Sequence, residues 1–254
     1  MVDFIIIIYA LIIGSFLNVL IYRLPLEQSF FKPIRSACPN CTYQLKWYEN
    51  IPVISYIFLR ARCSSCKIKI SIVYPLVEIL SVIITYSLYL KFGFEINYFL
   101  LLFLFYTLLV LSFIDFKYKA VPDYLLLIIL ITILFIQNID YQSLLIFTGA
   151  FVLLNFVLTF YIQNIKARIT KNDDLKEQTA LGEGDIPIIA VIGGLLGIKL
   201  AIVAIFIASI SAILPSIYNI IKKDDIETPF IPFLVFGLFI TYIFNTQILI
   251  YIGI

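Results

Sequence analysis

The sequence has no histidine among its 254 residues. This absence excludes a Ser-His-Asp triad, an HExxH metalloprotease and any metal site with imidazole ligands. Charged residues are also scarce, at 13% of the chain, against about 25% in an ordinary soluble domain. The formal net charge is only +2, so nothing in the charge balance suggests a nucleic-acid partner. Any chemistry must therefore use Asp, Glu, Cys, Ser, Lys or the backbone.

Hydrophobic residues make up 62% of the chain and are grouped in long apolar runs. A helix needs about 20 such residues to cross a bilayer. The fold class predicted from these runs is an all-α polytopic membrane protein with about eight transmembrane helices. We expect the spans near residues 4–22, 72–90, 97–114, 121–137, 141–161, 186–198, 200–219 and 229–250. The sixth has only 13 residues, about 20 Å of helix, and is short for a full crossing.

The basic residues predict how the chain is oriented. All but two of the 18 lysines and arginines fall in four alternate loops, the exceptions being Lys91 and Lys199. Those loops are 23–71, 115–120, 162–185 and 220–228. Because short loops rich in Lys and Arg stay on the cytoplasmic side, we expect these four to be cytoplasmic and both termini to lie outside.

The longest of these loops holds all four cysteines, as Cys38-x-x-Cys41 and Cys63-x-x-Cys66. Two such turns can complete a closed tetrahedral site of four thiolates. A reducing cytoplasm disfavours disulfides. The pattern predicts a structural zinc site, which could supply folding energy to a loop with little core of its own. The alternative is a set of free or redox-active thiols.

Two aspartates stand where apolar runs meet polar loops. Asp115 ends an apolar run, and Asp185 immediately precedes another. Carboxylates at a membrane boundary are costly and suggest a function. Two of them could share one proton as a catalytic dyad, since like charges in close contact cannot both ionise. Such a pair could hydrolyse a peptide bond without histidine, a cysteine nucleophile or a catalytic metal.

The residues around the second aspartate fit this interpretation. Gly182 and Gly184 precede it in the pattern GxGD, and glycines there would let the backbone approach an extended substrate. The alternative is that Asp115 and Asp185 are helix caps or surface charges. Because Asp185 lies two residues before Pro187, it also fits an N-cap or a first-turn acid.

Further short motifs run through most of the chain in a fixed order. The main ones are Gly14-Ser15-Phe16-Leu17-Asn18-Val19, Cys38-Pro39-x-Cys41, Trp47-Tyr48-Glu49-Asn50-Ile51-Pro52, Tyr74-Pro75-Leu76-Val77-Glu78, Asp115, Val121-Pro122-Asp123, Gly182-Glu183-Gly184-Asp185 and Pro229-Phe230-Ile231-Pro232-Phe233. Together they resemble the type IV prepilin peptidase family, the bacterial leader peptidases and N-methyltransferases of pilus and type II secretion systems.

The resemblance implies a bifunctional enzyme of the bacterial inner membrane. Asp115 and Asp185 would be its catalytic aspartates, facing the cytoplasm. They would cut a prepilin or pseudopilin after a Gly, and the new N-terminal residue would then be methylated with S-adenosylmethionine. The four cysteines would bind zinc.

The resemblance also implies a division of the chain and some supporting residues. Residues 1–95, with the first two spans and the cysteine loop, would serve methylation, and residues 96–254 would form the membrane-embedded peptidase. Asp123 would support the peptidase site. Apart from the resemblance, Glu78 lies near the cytoplasmic end of the second predicted span, in an otherwise apolar helix. Its position suggests an anchor for the substrate amine or for the adenosylmethionine site, and the alternative is a snorkelling surface acid.

Two positions depart from the family pattern. Pro187 stands where the family usually has a lysine, which affects the expected rate or pH optimum more than the reaction type. Ala61 replaces a glycine in Arg60-Ala61-Arg62-Cys63, a mild change unless that position needs a positive φ.

Two other functions stay open at this point. One is a peptidase that does not methylate. The other is a non-enzymatic transporter or assembly scaffold whose boundary acids bind cations. The expected partners are a prepilin precursor and the lipid bilayer, and the sequence assigns no oligomeric state.

Overall fold

The computed structural model describes residues 2–29, 36–170, 173–222 and 228–253. Over these ranges the secondary structure is helical, with two isolated antiparallel bridges and no extended strand. The predicted all-α fold class is therefore confirmed. Parts of three predicted cytoplasmic loops lie outside the described ranges, namely 30–35, 171–172 and 223–227. The chain divides into two compact units, the first ending at Pro122 and the second beginning at Asp123.

The described part of the first unit contains four α-helices. They are α1 (Val2–Arg23), α2 (Ile54–Phe58), α3 (Val73–Phe92) and α4 (Ile96–Tyr118). The three long helices correspond to the first three predicted spans. α3 ends because Gly93 adopts a positive φ of 63°, and its N–H donates to the Tyr89 carbonyl. α4 packs against both α1 and α3 and is buried along most of its length.

Polar contacts fix the pairing of α1 with α3. Gly14 lets the two helices approach closely, since a Cβ there would collide with Ser81 Oγ. The Ser81 hydroxyl donates to the Ala10 carbonyl at 2.8 Å, and the Asn18 amide donates to the Tyr74 carbonyl at 3.1 Å. Small residues and interhelical hydrogen bonds are what hold helices together where the surroundings are apolar. Asn18 is therefore a bridge between α1 and α3.

The second unit is built around one long helix. Its elements are α5 (Asp123–Ile133), α6 (Tyr141–Phe160), a π-helical turn (Tyr161–Lys166), α7 (Ala167–Thr170), α8 (Asp185–Lys222), α9 (Ile231–Ile243) and α10 (Asn245–Ile252). α8 packs against α5, α6 and α9. Most side chains of α6 are exposed and apolar, which is expected of a surface that faces lipid.

α8 is broken at Gly197, whose φ of 69° and ψ of 173° are not helical. The sixth and seventh predicted spans are the two halves of this element. Just before the break, the Gly194 carbonyl accepts a hydrogen bond from the Asp140 N–H at 3.0 Å. The Asp140 side chain in turn caps α6 by accepting from the Ser143 N–H at 3.0 Å.

Five of the described helices are long and apolar enough to cross a membrane, and six if α9 and α10, bent by 81° at their junction, form one span. α5 covers only 11 residues, about 16 Å of helix, whereas the predicted fourth span was 121–137. The hydrocarbon core is about 30 Å thick, so α5 alone does not cross it. The chain is a multi-pass membrane protein, but the predicted count of eight spans is not confirmed.

The contact of α8 with α9 allows a test of the packing of the second unit. Gly237 on α9 lies so close to α8 that a Cβ would collide with the Ala204 carbonyl and come within 3.2 Å of the Ala208 backbone nitrogen. We expect Gly237→Ala to destabilise the protein by about 2 kcal/mol, because the two backbones must separate. The unfolding midpoint in detergent, followed by circular dichroism, measures this loss.

Gly149 on α6 supplies the matched control, since a Cβ there meets nothing within 4 Å. Gly149→Ala should leave the midpoint unchanged or raise it, because alanine favours a helix by about 1 kcal/mol over glycine. Equal midpoints for the two variants would contradict the close packing of α8 and α9.

Candidate functional site

The first CxxC segment forms a tight turn. The Cys38 N–H donates to the Tyr43 carbonyl at 2.9 Å, and the Thr42 N–H donates back to the Cys38 carbonyl at 2.9 Å. Thr42 has a positive φ of 56°. The turn is closed by a bridge between Ala37 and Gln44.

The second CxxC segment repeats this turn residue for residue. The Cys63 N–H donates to the Ile68 carbonyl at 2.9 Å, and the Lys67 N–H donates to the Cys63 carbonyl at 3.1 Å. Lys67 has a φ of 59°. A bridge between Arg62 and Lys69 closes the turn. We call the segment that carries both turns, residues 36–71, the cysteine lobe.

The two turns bring all four thiols together. Their Sγ atoms lie within 4.8 Å of one another. Cys38 Sγ is 3.8 Å from Cys66 Sγ, and Cys41 Sγ is 4.0 Å from Cys63 Sγ. All four are free thiols, and none forms a disulfide. The cluster could therefore hold a metal ion through four sulfur ligands.

The thiols of the cluster differ in acidity. The Ile68 backbone N–H is the largest contribution that lowers the pKa of Cys66, to about 6. The Tyr43 N–H lowers the pKa of Cys41, but burial and hydrogen bonds with the other three thiols outweigh it and raise this pKa to about 11. Because metal ligation needs thiolates, binding of a cation here would release protons.

Glu49 is a buried acid in the middle of the cysteine lobe. It lies in the 3₁₀ turn Trp47–Asn50, is 7% exposed, and its Oε2 accepts from the Lys46 N–H at 2.8 Å. The Ser64 hydroxyl, followed by that N–H, holds the pKa of Glu49 below its usual range. Ser64 follows Cys63 directly, so the Glu49 carboxyl lies near the second cysteine turn.

The departure at Ala61 is not mild. Ala61 has a φ of 56°, in the region that favours glycine, and its N–H donates to the Tyr56 carbonyl at 2.9 Å. The position of Ala61 therefore does need a positive φ, and replacing the glycine that the family usually has there is not a mild change. An L-residue pays about 1 kcal/mol or more to hold this conformation.

We therefore expect Ala61→Gly to stabilise the cysteine lobe by about 1 kcal/mol. The fluorescence of Trp47, the only tryptophan of the chain, reports unfolding of the lobe in denaturant. Ala37 is the matched control, because its φ is not positive. Ala37→Gly should destabilise the lobe by about 0.5–1 kcal/mol through the entropy of the unfolded chain. If both variants shifted in the same direction, the strain at Ala61 would be absent.

A cavity of about 580 Å³ lies in the first unit. Its wall combines residues of the cysteine lobe with residues near the ends of α1, α3 and α4. Glu78 of α3 lies in this wall and is 7% exposed, so the alternative of a snorkelling surface acid is wrong. Its Oε2 accepts from the Val53 N–H at 2.7 Å. The role of Glu78 stays a prediction.

Asp115 lies in the last turns of α4 and belongs to the first unit. It is 8% exposed, so it is not a surface charge. α4 ends about one turn later because Lys119 adopts a φ of 52°, and the Lys119 N–H donates to the Asp115 carbonyl at 2.9 Å. Asp115 is thus held at the helix end beside Lys117, as the sequence predicts.

Asp185 is the first residue of α8, in the second unit, and is 7% exposed. Its N–H donates to the Gly182 carbonyl at 3.1 Å. A Cβ at Gly182 would lie 3.3 Å from Asp185 Oδ2, so the glycine keeps one side of the carboxyl open. The position agrees with a first-turn acid, and its burial argues against a mere surface charge. That the two aspartates share a proton stays a prediction.

The sequence did not identify the residues that hold the loop in front of Asp185. Asn155 Oδ1 accepts from the Leu181 N–H at 3.1 Å, and Thr159 Oγ1 accepts from the Ala180 N–H at 3.0 Å. Asn155 and Thr159 lie one turn apart on α6. Two polar residues at that spacing within an apolar run are a signal that could have been used.

The other predicted residues lie in these same two regions. Asp123 is the first residue of α5 and is exposed. Gly184 directly precedes α8 and is half-buried. Pro187 lies in the first turn of α8, where proline is tolerated.

Comparison with known proteins gives matches over both units. Residues 8–92 match the bacterial peptidase A24 N-terminal domain, and residues 102–217 match the type IV leader peptidase family. The chain is 35% identical over 216 residues to a prepilin leader peptidase/N-methyltransferase of Vibrio cholerae, with 81% of each chain covered. It is 33% identical over 258 residues to a protein of that name from Legionella pneumophila, with 89% of this chain and 85% of the relative covered. A relative from Neisseria gonorrhoeae is 31% identical over 241 residues. No solved structure matches.

Proposed function

The chain belongs to the type IV leader peptidase family, and from this we propose that it removes the leader of a prepilin or pseudopilin and methylates the new N-terminal residue. The observation that carries the proposal is the presence, in one chain, of both matched segments in order, 8–92 and 102–217. Relatives that carry the name of both activities are covered over more than three quarters of their length.

In this proposal Asp115 and Asp185 are the catalytic aspartates. The ionised carboxyl of the pair takes a proton from a water molecule, and the protonated one donates a hydrogen bond to the scissile carbonyl. The water oxygen then attacks the carbonyl carbon, and the leaving amine receives a proton. Both side chains are buried, which supports their use as a pair whose proton is not lost to bulk water.

The surroundings of Asp185 favour the binding of a substrate peptide in an extended conformation. The loop before it is held by side-chain acceptors of α6, and Gly182 leaves space beside the carboxyl. An extended peptide that lies against such a loop can present its backbone to the aspartates. Asp123 at the start of α5 is proposed as a supporting residue near the substrate path.

We place the cleavage site at the cytoplasmic face of the bacterial inner membrane. Support comes from Lys117 and Lys119, which follow Asp115 by two and four residues and fit the cytoplasmic end of a span. A prepilin has a basic leader followed by an apolar helix. That helix can enter the bilayer beside the protein while the leader stays in the cytoplasm.

The cysteine lobe is proposed to bind zinc. Four ligands at a Zn–S distance of about 2.3 Å in a tetrahedron lie about 3.8 Å apart, close to the 3.8 Å and 4.0 Å between paired thiols. With all four positions taken by cysteine, no position is open for substrate, so the metal would be structural.

S-adenosylmethionine is the proposed methyl donor, and it supplies an electrophilic methyl group on a sulfonium. The division into a methyltransferase region, 1–95, and a peptidase region, 96–254, is retained as part of the proposal.

The test uses the purified full-length protein, a candidate prepilin and S-adenosylmethionine, with the product analysed by mass spectrometry. The proposal predicts a pilin without its leader and with one added methyl group on the N-terminal nitrogen. Cleavage without methylation would support the peptidase activity alone and would reject the proposed methyltransferase activity. An intact prepilin would favour the transporter or scaffold alternative.

A further inference from the structure

The cavity of the first unit has the size of a small-molecule site. Its volume of about 580 Å³ lies within the range of about 300–1,000 Å³ that ligand pockets occupy. Cys38 and Cys63 contribute to its wall together with α1, α3 and α4. The metal-binding turns thus form one side of the cavity, and the ends of the long helices form the other.

Glu78 provides the cavity with a buried acid. It projects from α3, a spanning helix, and in the described residues no lysine or arginine forms an ion pair with it. A buried carboxylate in such a place is costly and needs a reason. The Val53 N–H satisfies one acceptor site of Oε2. A carboxylate offers about four such sites, so capacity remains for an ammonium group.

The partner of Glu78 is held in a strained conformation. Val53 has a φ of 58° and a ψ of −48°, a region that β-branched residues avoid. Such strain persists only where the surrounding structure imposes it, and it is frequent at functional sites. Here the conformation points the Val53 N–H at Glu78 and so fixes the orientation of the carboxylate in the cavity wall.

The cavity also offers aromatic faces and a cation. Tyr22 and Tyr74 line it, and so does Lys117, whose Nζ lies 5.0 Å from the Tyr22 ring centroid and 4.7 Å from that of Tyr118. Aromatic faces attract cations, including a sulfonium. Lys117 follows Asp115 by two residues on α4, which separates their Cα atoms by about 5.5 Å. The helix that carries a proposed catalytic aspartate therefore also reaches this cavity.

From these observations we propose that the cavity is the methyl-transfer site, where Glu78 binds the new N-terminal amine of the cleaved pilin and Lys117 binds the carboxylate of S-adenosylmethionine. This inference rests on the proposed function and adds its location and residues. The ammonium group loses one proton to the Glu78 carboxylate. The freed nitrogen lone pair forms the N–CH₃ bond as the S–CH₃ bond breaks, and the electron pair of that bond stays on sulfur. The product is a methylammonium and a neutral thioether, and the proton on Glu78 passes to solvent.

The first test measures binding of S-adenosylhomocysteine by calorimetry to the full-length protein in detergent. Val19 of α1 lines the cavity, so Val19→Phe reduces the space and should weaken binding about tenfold or more. Ile12→Phe is the matched control on the same helix, since Ile12 is 58% exposed and does not line the cavity. Its affinity should equal that of the original protein. Equal affinities for Val19→Phe and Ile12→Phe would overturn the proposal, however Glu78 variants behave.

The second test addresses Glu78 through the charge of the amine. A leaderless pilin peptide with a free N-terminus should bind about tenfold more tightly than the same peptide with an acetylated N-terminus. Glu78→Gln keeps an oxygen for the Val53 N–H but removes the charge, so this preference should disappear. A purely structural role of Glu78 would not change the ratio. An unchanged preference in Glu78→Gln would overturn the role of Glu78.

The failure of this inference differs from the failure of the proposed function. If the original protein cleaves prepilin but neither binds S-adenosylhomocysteine nor methylates, the methyltransferase activity itself is absent. If it methylates and Val19→Phe binds as well as the control, the activity stands and lies elsewhere in the protein.

Discussion

Asp115→Asn and Asp185→Asn are each expected to reduce leader cleavage by about 10³-fold or more, the range that a positioned acid–base group contributes. An asparagine has nearly the shape of an aspartate, but it can neither take a proton from water nor share one with a second carboxyl. The loss should therefore appear in the rate of cleavage, measured by mass spectrometry of the prepilin, while the protein still inserts in the membrane. Both residues are buried, so each substitution acts on a group shielded from bulk water.

Asp173 supplies the control for these substitutions. Its side chain is 88% exposed and forms an ion pair with Lys176, 2.5 Å away. Asp173→Asn should cleave prepilin at the original rate. Neither Asp115 nor Asp185 lines the cavity of the first unit, so both asparagine variants should still methylate a leaderless peptide. Full cleavage by either Asp115→Asn or Asp185→Asn would reject the aspartyl mechanism.

The second large effect is expected at the proposed zinc site. Cys63→Ser should lower the bound zinc from about one ion per chain to a small fraction, because three thiolates do not complete a structural site. Methylation should fall to background as well, since Cys63 and Cys38 form part of the cavity wall and the metal would fix both turns. Zinc is measured by elemental mass spectrometry of the purified protein, and methylation with a leaderless peptide.

Ser65 lies in the same turn, between Cys63 and Cys66, and is exposed. Ser65→Ala should keep both zinc and methylation, which separates loss of a ligand from general damage to the turn. Removal of zinc with a strong chelator should reproduce the effect of Cys63→Ser. Zinc retained at the original level in Cys63→Ser would contradict a site of four thiolates.

Local patterns were sufficient to predict much of this molecule. The paired CxxC spacing predicted the thiol cluster, because each turn is built from hydrogen bonds within six residues. The apolar runs predicted α1, α3 and α4, because each of these helices extends along its apolar run without a break. The buried aspartates were found where an apolar run meets a polar loop.

Other features depend on backbone geometry that hydropathy does not report. The apolar run 121–137 contains only the short helix α5, because the chain turns after Ile133 without becoming polar. The break at Gly197 divides α8 in the middle of an apolar sequence. The effect of having Ala61 in place of the family's glycine depends on the backbone φ at that position, which the sequence does not give.

The long-range contacts were the hardest to predict. The hydrogen bond from Val53 to Glu78 joins a backbone donor to a carboxylate 25 residues away, and any residue other than proline can supply that donor. The same holds for Asn155, whose oxygen accepts a backbone N–H of the loop before Asp185. Such contacts are set by how the chain packs. The sequence shows the side chain that accepts the hydrogen bond, but it does not show which backbone N–H will donate to it.

The most direct test of the account is whether the two proposed catalytic side chains share one site. The variant with Asp115→Cys and Asp185→Cys is supplied with zinc to protect its four native cysteines, treated with a short bifunctional thiol reagent and analysed by mass spectrometry. We predict an intramolecular cross-link between positions 115 and 185, and none in a control with Asp115→Cys and Tyr251→Cys, since residue 251 is predicted to lie on the outer side. Two reactive thiols at 115 and 185 that the reagent labels separately and never joins would contradict the aspartyl dyad.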